Sequence, residues 1–170
     1  MKIFSANIKS LTELYNTELR KALDMEETIV KALPAMINNS TDEQLKQGLT
    51  SHLQESEQHV DRVKALLRGF EDSGSKRCKV IHTLVSEAED SMKDASDADV
   101  RDIAIIGAAQ QVEHHEIAVY GTLKSWARIL GRIEDVSLIE LIERDEKHAD
   151  KLLSDISDRV NTVAPTAKAA

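Results

Sequence analysis

The chain has 170 residues, 41% of them hydrophobic and 31% charged, with two prolines, six glycines and aromatic residues only at Trp126, Tyr15, Tyr120, Phe4 and Phe70. So few chain breakers and β-forming side chains argue against a sandwich or barrel and for an all-α chain long enough for one sizeable core. A net charge of −8 disfavours nucleic acid and anionic membranes as partners and leaves cations as ligands, while a single cysteine, Cys78, excludes an intramolecular disulfide and any Cys-rich metal site.

Four long segments repeat apolar residues at helical spacing. The first, residues 7–38, carries Leu11, Tyr15, Leu19, Ala22, Ile29, Leu33 and Met36 on one side. Ser10 with Glu13 forms a capping box near its start. Pro34 removes the bond to the Val30 carbonyl and should kink it. A second capping box, Thr41 with Gln44, opens a helix to residue 68 with the stripe Leu45, Leu49, Leu53, Ser56, Val60, Val63 and Leu67. Gly69 and the polar run 72–75 end it. A shorter amphipathic segment follows at 78–92. The third long helix, 100–130, carries Ile106, Ala109, Glu113, Glu116, Tyr120, Leu123 and Ala127, and Gly131 stops it. The fourth, 133–160, carries Ile139, Ile142, Glu146, Ala149, Leu153 and Ile156. A single domain over 1–162 and a frayed tail over 163–170 are expected. Residues 1–11 lack the apolar core of a signal peptide, and no run reaches the roughly 20 apolar residues of a membrane span. The expected location is the cytoplasm.

Loop lengths set the topology. Short turns join helices 1 and 2, and helices 3 and 4, so each pair forms an antiparallel hairpin. The link between the hairpins, residues 69–98, is long and holds its own short helix. Two hairpins joined by one long crossover make a ferritin-like four-helix bundle.

Acids interrupt the apolar stripes. Glu113 and Glu116 stand where helix 3 calls for hydrophobes, and Glu146 lies between Ile142 and Ala149. Glu26 is one turn from Ala22 and Ile29, and Glu57 lies between Leu53 and Val60. Measured from the two hairpin turns at 1.5 Å rise per residue, these five acids spread over roughly 8 Å of the bundle axis. They share one layer, and ionised carboxylates there need a compensating cation. Carboxylate oxygens can bridge two divalent ions. The helical solution of that kind uses two Glu and two Glu-x-x-His pairs; here Glu113-x-x-Glu116 and Glu143-x-x-Glu146 have the spacing, and no Glu-x-x-His occurs. Taken singly, such a Glu is a boundary residue whose head reaches water, the favoured reading for Glu143, Asp145 and Asp150. His52 and His59 share a face of helix 2, in a buried contact or behind a ligand rather than as ligands. Of His114 and His115 one at most approaches the core, where it would support a ligating carboxylate. His148 and Gln54 have an undecided relation to the site.

The stretches Lys31-Ala32-Leu33-Pro34, His52-Leu53-Gln54-Glu55-Ser56-Glu57, Val100-Arg101-Asp102, Ala108-Ala109-Gln110-Gln111-Val112-Glu113-His114-His115-Glu116-Ile117-Ala118-Val119-Tyr120-Gly121-Thr122-Leu123 and Glu146-Lys147-His148-Ala149-Asp150 resemble the YciE/YciF family of bacterial ferritin-like proteins. The resemblance covers nearly the whole chain apart from the tail, and 113–123 is its most specific part. It implies a ferritin-like bundle with an added short helix, a homodimer, and a carboxylate-rich di-metal centre similar to that of rubrerythrins, in a family associated with stress responses. By position it implies metal ligation by Glu26, Glu57, Glu113, Glu116, Glu146 and Asp150. The chain departs from the family pattern at Gln54, where Glu is common, and at Leu23 and His115, where Tyr is usual. The expected cofactor is a pair of iron ions, or manganese or zinc in their place, and the expected chemistry is Fe(II) oxidation or the reduction of O2 or peroxide. The competing expectation is a non-catalytic stress protein whose metals hold a dimeric bundle together. A DNA-protecting miniferritin fits poorly with the negative charge.

Overall fold

The computed structural model describes residues 8–71 and 74–162. The start of the first segment at residue 7, most of the stretch 1–11 in which no signal peptide is read, and the tail 163–170 lie outside the described residues, as do residues 72 and 73. Among the described residues there are five helices and no strand: α1 Leu11–Asn39, α2 Glu43–Leu66, α3 Lys79–Asp94, α4 Ala98–Ile129 and α5 Ile133–Val160. No described helix is long and apolar enough to cross a membrane.

Local chemistry sets the helix ends. Ser10 Oγ accepts from the Glu13 amide at 3.1 Å to cap α1, and Asp97 Oδ1 accepts from Val100 at 3.1 Å to cap α4. The cap of α2 is Asp42, not Thr41: Asp42 Oδ1 accepts from Leu45 N at 3.0 Å. Thr41 is occupied elsewhere, because its amide and hydroxyl both donate to the Asp102 carboxylate on α4. Gly131 ends α4 with φ of 70°, a left-handed conformation that a side chain would strain. α1 runs on past Pro34 to Asn39, with the proline on its exposed side.

The hydrogen bonds at the two ends of the bundle fix its topology. The starts of α2 and α4 meet where Thr41 and Asp42 donate to Asp102. The end of α5 joins them there, through Arg159 on Asp42 and Gln44. At the opposite end the start of α1 meets the start of α5, where Tyr15 Oη donates to Asp135 at 2.9 Å. α2 and α4 are therefore parallel, and the link between them must travel the length of the bundle. Around the bundle α1 packs on α2, α2 on α5, α5 on α4 and α4 on α1, while α3 leans on α4 and α1. This is the expected connectivity: two antiparallel hairpins and one long crossover with a short helix. Arg20 pins the crossover to α1 by donating to the carbonyls of Glu71 and Gly74.

The apolar stripes line the interior. Tyr15, Leu19, Met25, Leu45, Leu66, Ile105, Ile106, Leu123, Ile139 and Ile142 are all buried to within 2%. At about 1.5–3 kcal/mol for each large side chain, these layers can carry a costly polar layer between them. Such a layer exists, and it contains Glu26, His52, Ser56, His59, Glu113, Glu116 and Glu146.

Candidate metal centre

Four carboxylates and two imidazoles converge at mid-bundle. α1 supplies Glu26, α2 supplies His52 and His59, α4 supplies Glu113 and Glu116, and α5 supplies Glu146. Glu26, His59, Glu116 and Glu146 are completely buried. Their donor atoms form two groups that share Glu146: His52, Glu113, Glu116 and Glu146 in one, and Glu26, His59 and Glu146 in the other. Within each group the atoms lie within 4.8 Å of one another, close to the roughly 4 Å spanned by two opposite bonds of about 2.1 Å to a common ion.

Few of these atoms bond to each other. Glu26 Oε2, His52 Nδ1, His59 Nδ1, Glu113 Oε2 and both oxygens of Glu116 and Glu146 are buried without a hydrogen-bond partner. This holds even though His59 Nδ1 stands 2.9 Å from Glu146 Oε1. Buried polar atoms are almost always paired, so such a concentration of unpaired ones calls for a ligand.

Electrostatics agree with this geometry. Burial first, and the Glu146 charge second, push the Glu26 carboxyl up to about 8. The same two causes hold Glu113 and Glu116 well above the ordinary carboxylate range. Burial holds the His52 imidazole below its ordinary value. Burial also pulls His59 down, but the Glu146, Glu26 and Asp145 carboxylates outweigh it and hold that ring up. Four carboxylates could carry a charge of −4, which two divalent cations would cancel. Carboxylate and imidazole are hard to borderline ligands, a donor set open to first-row divalent cations, zinc among them.

A supporting shell surrounds the donors. Tyr120 Oη, fully buried, donates to Glu26 Oε1. Behind His59, Asp145 Oδ2 stands 3.4 Å from Nε2 and accepts from Arg62 Nη1 at 2.9 Å. Burial raises the Asp145 carboxyl, but Arg62, His59 and Arg144 outweigh it and keep it below its usual value. An ionised carboxylate on the outer nitrogen of a histidine fixes the tautomer that points its other nitrogen inward.

The structure thus brings together Glu26, Glu113, Glu116 and Glu146. It does not bring Glu57, whose side chain is exposed. The inward line of α2 runs through Leu45, Leu49, His52, Ser56, His59, Val63 and Leu66, and Glu57 lies one residue, about 100°, beyond Ser56. The expected stripe through Leu53, Val60 and Leu67 is only half-buried. Asp150 stands at the margin, 3.2 Å from Nδ1 of the exposed His114. Glu143 is buried, not at the surface as expected, but its carboxylate is taken up by Lys124 and Lys147 instead of the donor layer, and Gln54 and His148 are exposed. His52 and His59 are the donors that the sequence reading set aside. Their signal was a second line at the same 3–4 spacing, from Leu49 through 52, 56 and 59 to Val63.

Comparison with known proteins assigns the chain. Residues 10–164 match the family described as "Domain of unknown function (DUF892)". The chain belongs to the DUF892 family. This DUF892 chain is 30% identical over 153 residues to Protein YciF of Escherichia coli strain K12, covering 89% of the chain and 92% of YciF. The crystal structure of the E. coli stress protein YciF superposes with a TM-score of 0.88 at 27% identity, covering 92% of this chain and all of that one. YcfI from Rhodopseudomonas palustris matches with a TM-score of 0.83 at 36% identity, covering 96% of this chain and all of that one.

Proposed function

We propose that this DUF892 chain is a di-metal protein of the stress-response type, binding two divalent ions, iron foremost, and using them to oxidise Fe(II) or to reduce O2 or peroxide. The observation that carries the reading is the set of unpartnered, buried donor atoms drawn from four helices around two points that share Glu146. One position takes His52, Glu113, Glu116 and Glu146; the other takes Glu26, His59 and Glu146. Bound iron would supply one-electron redox chemistry and an open position for the oxidant. The protein's own part is to fix the donors, exclude bulk water and hold Glu26 through Tyr120. The stress character of E. coli YciF is consistent with a role in iron or oxidant handling.

The test is anaerobic Fe(II) titration of metal-free protein, followed by exposure to O2 or to peroxide. Two Fe(II) per chain and ferric absorption appearing faster than with free iron are expected. Binding without any acceleration over free iron would remove the redox claim. No binding at all would remove the metal claim.

A further inference from the structure

Glu26, His59, Glu116 and Glu146 are completely buried, so a cation from solvent has to be handed to them. Three partly exposed acids stand at the edge of the donor layer. Asp145, behind His59, is held by Arg62 at 2.9 Å and by Arg144 at 3.3 Å. Asp150 faces the His114 ring at 3.2 Å. Glu55 of α2 differs from both. Its side chain is 32% exposed, and among the described residues its carboxylate pairs with His52 and with no lysine or arginine. His52 and Glu55 are three residues apart, so they share one edge of the helix. Glu55 Oε2 stands 3.9 Å from His52 Nδ1, and the same nitrogen stands 3.9 Å from Glu146 Oε2. His52 is 5% exposed, and neither its Nδ1 nor Glu146 Oε2 has a hydrogen-bond partner. Two buried, unpartnered donor atoms thus stand beside one half-exposed carboxylate that no cationic side chain neutralises. The other ring nitrogen, Nε2, faces the interior, 3.2 Å from Glu113 Oε1.

We propose that Glu55, His52 Nδ1 and Glu146 Oε2 form an outer loading position for a divalent cation, through which ions enter and leave the buried centre. The inference rests on the di-metal reading and adds a route to it, with Glu55 as an entry ligand and not a resident one. The spacing fits, since two atoms bonded at about 2.1 Å to a common ion lie up to roughly 4 Å apart. Exposure supplies the second requirement. Glu55 can meet a hydrated ion in solvent and replace part of its water before the ion loses the rest inside. Charge supplies the third, because the Glu55 carboxylate is uncommitted while Asp145 is neutralised by arginines. A neutral imidazole offers one lone pair at a time. A His52 ring that holds an ion through Nδ1 therefore cannot hold another through Nε2. The outer position is a stop on the way in, not a third resident site.

The experiment follows Co(II), whose visible absorption changes on binding, by stopped flow into the metal-free full chain, and then its release into excess chelator. Entry and exit share one path, so Glu55→Gln should slow association about tenfold and dissociation by the same factor. The Kd and the number of Co(II) ions per chain should stay at their wild-type values. Glu57→Gln, two residues away on the exposed face, removes the same charge and should leave both rates unchanged, which separates contact from long-range attraction. Glu55→Asp keeps the charge and should recover part of the association rate. Wild-type rates in Glu55→Gln, or equal slowing in Glu57→Gln, would overturn the proposal. A large loss of affinity or stoichiometry in Glu55→Gln would also overturn it, by making Glu55 a resident ligand. If the wild type binds two Co(II) and Glu55→Gln leaves the rates unaltered, the loading position falls while the di-metal reading stands. If the wild type binds no Co(II), the di-metal reading falls and the loading position falls with it.

Discussion

Substituting Glu26 by glutamine should make the metal-free protein more stable and the metal-loaded protein less so. In the unfolded chain this carboxyl ionises near 4.5, and in the folded chain its value is pushed up to about 8 by burial and by Glu146. Between those two pH values the folded chain keeps a proton that the unfolded chain has released. The contribution to stability is therefore full below pH 4.5 and is lost as pH rises toward 8. At about 1.4 kcal/mol for each pH unit, the loss at pH 7 is about 3 kcal/mol from Glu26 alone. Glu26→Gln keeps the shape, and its carbonyl still accepts from Tyr120, but it has no charge to suppress. In chelator at neutral pH the variant should melt higher by about 6–12 °C, given the usual response of a chain this size. With saturating Mn(II) or Zn(II) the order should reverse narrowly. At a thousandfold excess over Kd the wild type gains about 4 kcal/mol at each of two sites, while the variant gains it only at the site without Glu26. Its head start of about 3 kcal/mol leaves the variant about 1 kcal/mol short. The assay is thermal and urea unfolding from pH 5 to pH 8.5, with chelator and with metal. A wild-type stability that stays flat or rises across that range in chelator would refute the reasoning. So would a glutamine variant that is less stable than wild type without metal.

Other outcomes follow from the same geometry. Asp145→Asn removes the charge behind His59, 3.4 Å from its Nε2, and should weaken metal binding by about 10–100-fold in a chelator competition. Asp102→Ala strips the acceptors used by Thr41 N, Thr41 Oγ1 and Asp42 N, and urea unfolding should show a loss of about 3 kcal/mol. Glu57→Ala, on the exposed face of α2, should leave metal stoichiometry unchanged and stability within about 0.5 kcal/mol.

The long helices were legible because amphipathic periodicity accumulates over many turns, and Gly131 marked a stop that needs a positive φ. The two-hairpin topology followed from loop length alone. Acids on apolar stripes led correctly to the positions of Glu26, Glu113, Glu116 and Glu146 in one buried layer. On α2 the periodicity was ambiguous, since 3.6 residues per turn lets two neighbouring lines fit one sequence. Leu53, Val60 and Leu67 are apolar enough to draw the line one residue off, and that placed Glu57 inside in place of His52, Ser56 and His59. Histidine carries little hydropathic signal in either direction, so periodicity could not rank the two lines. Thr41 and Asp42 are both competent caps. Asp102, 61 residues from Thr41, decided between them by taking the threonine, a tertiary choice that no local pattern encodes.

The most direct test is a crystal structure of the protein grown with Mn(II) or anaerobic Fe(II), with anomalous scattering recorded at the metal edge. Two peaks per chain are predicted, one among His52, Glu113, Glu116 and Glu146 and one among Glu26, His59 and Glu146, with Glu146 reaching both. Peaks confined to outer acids such as Asp150 or Glu57, with the interior carboxyls bonded only to one another, would contradict the account.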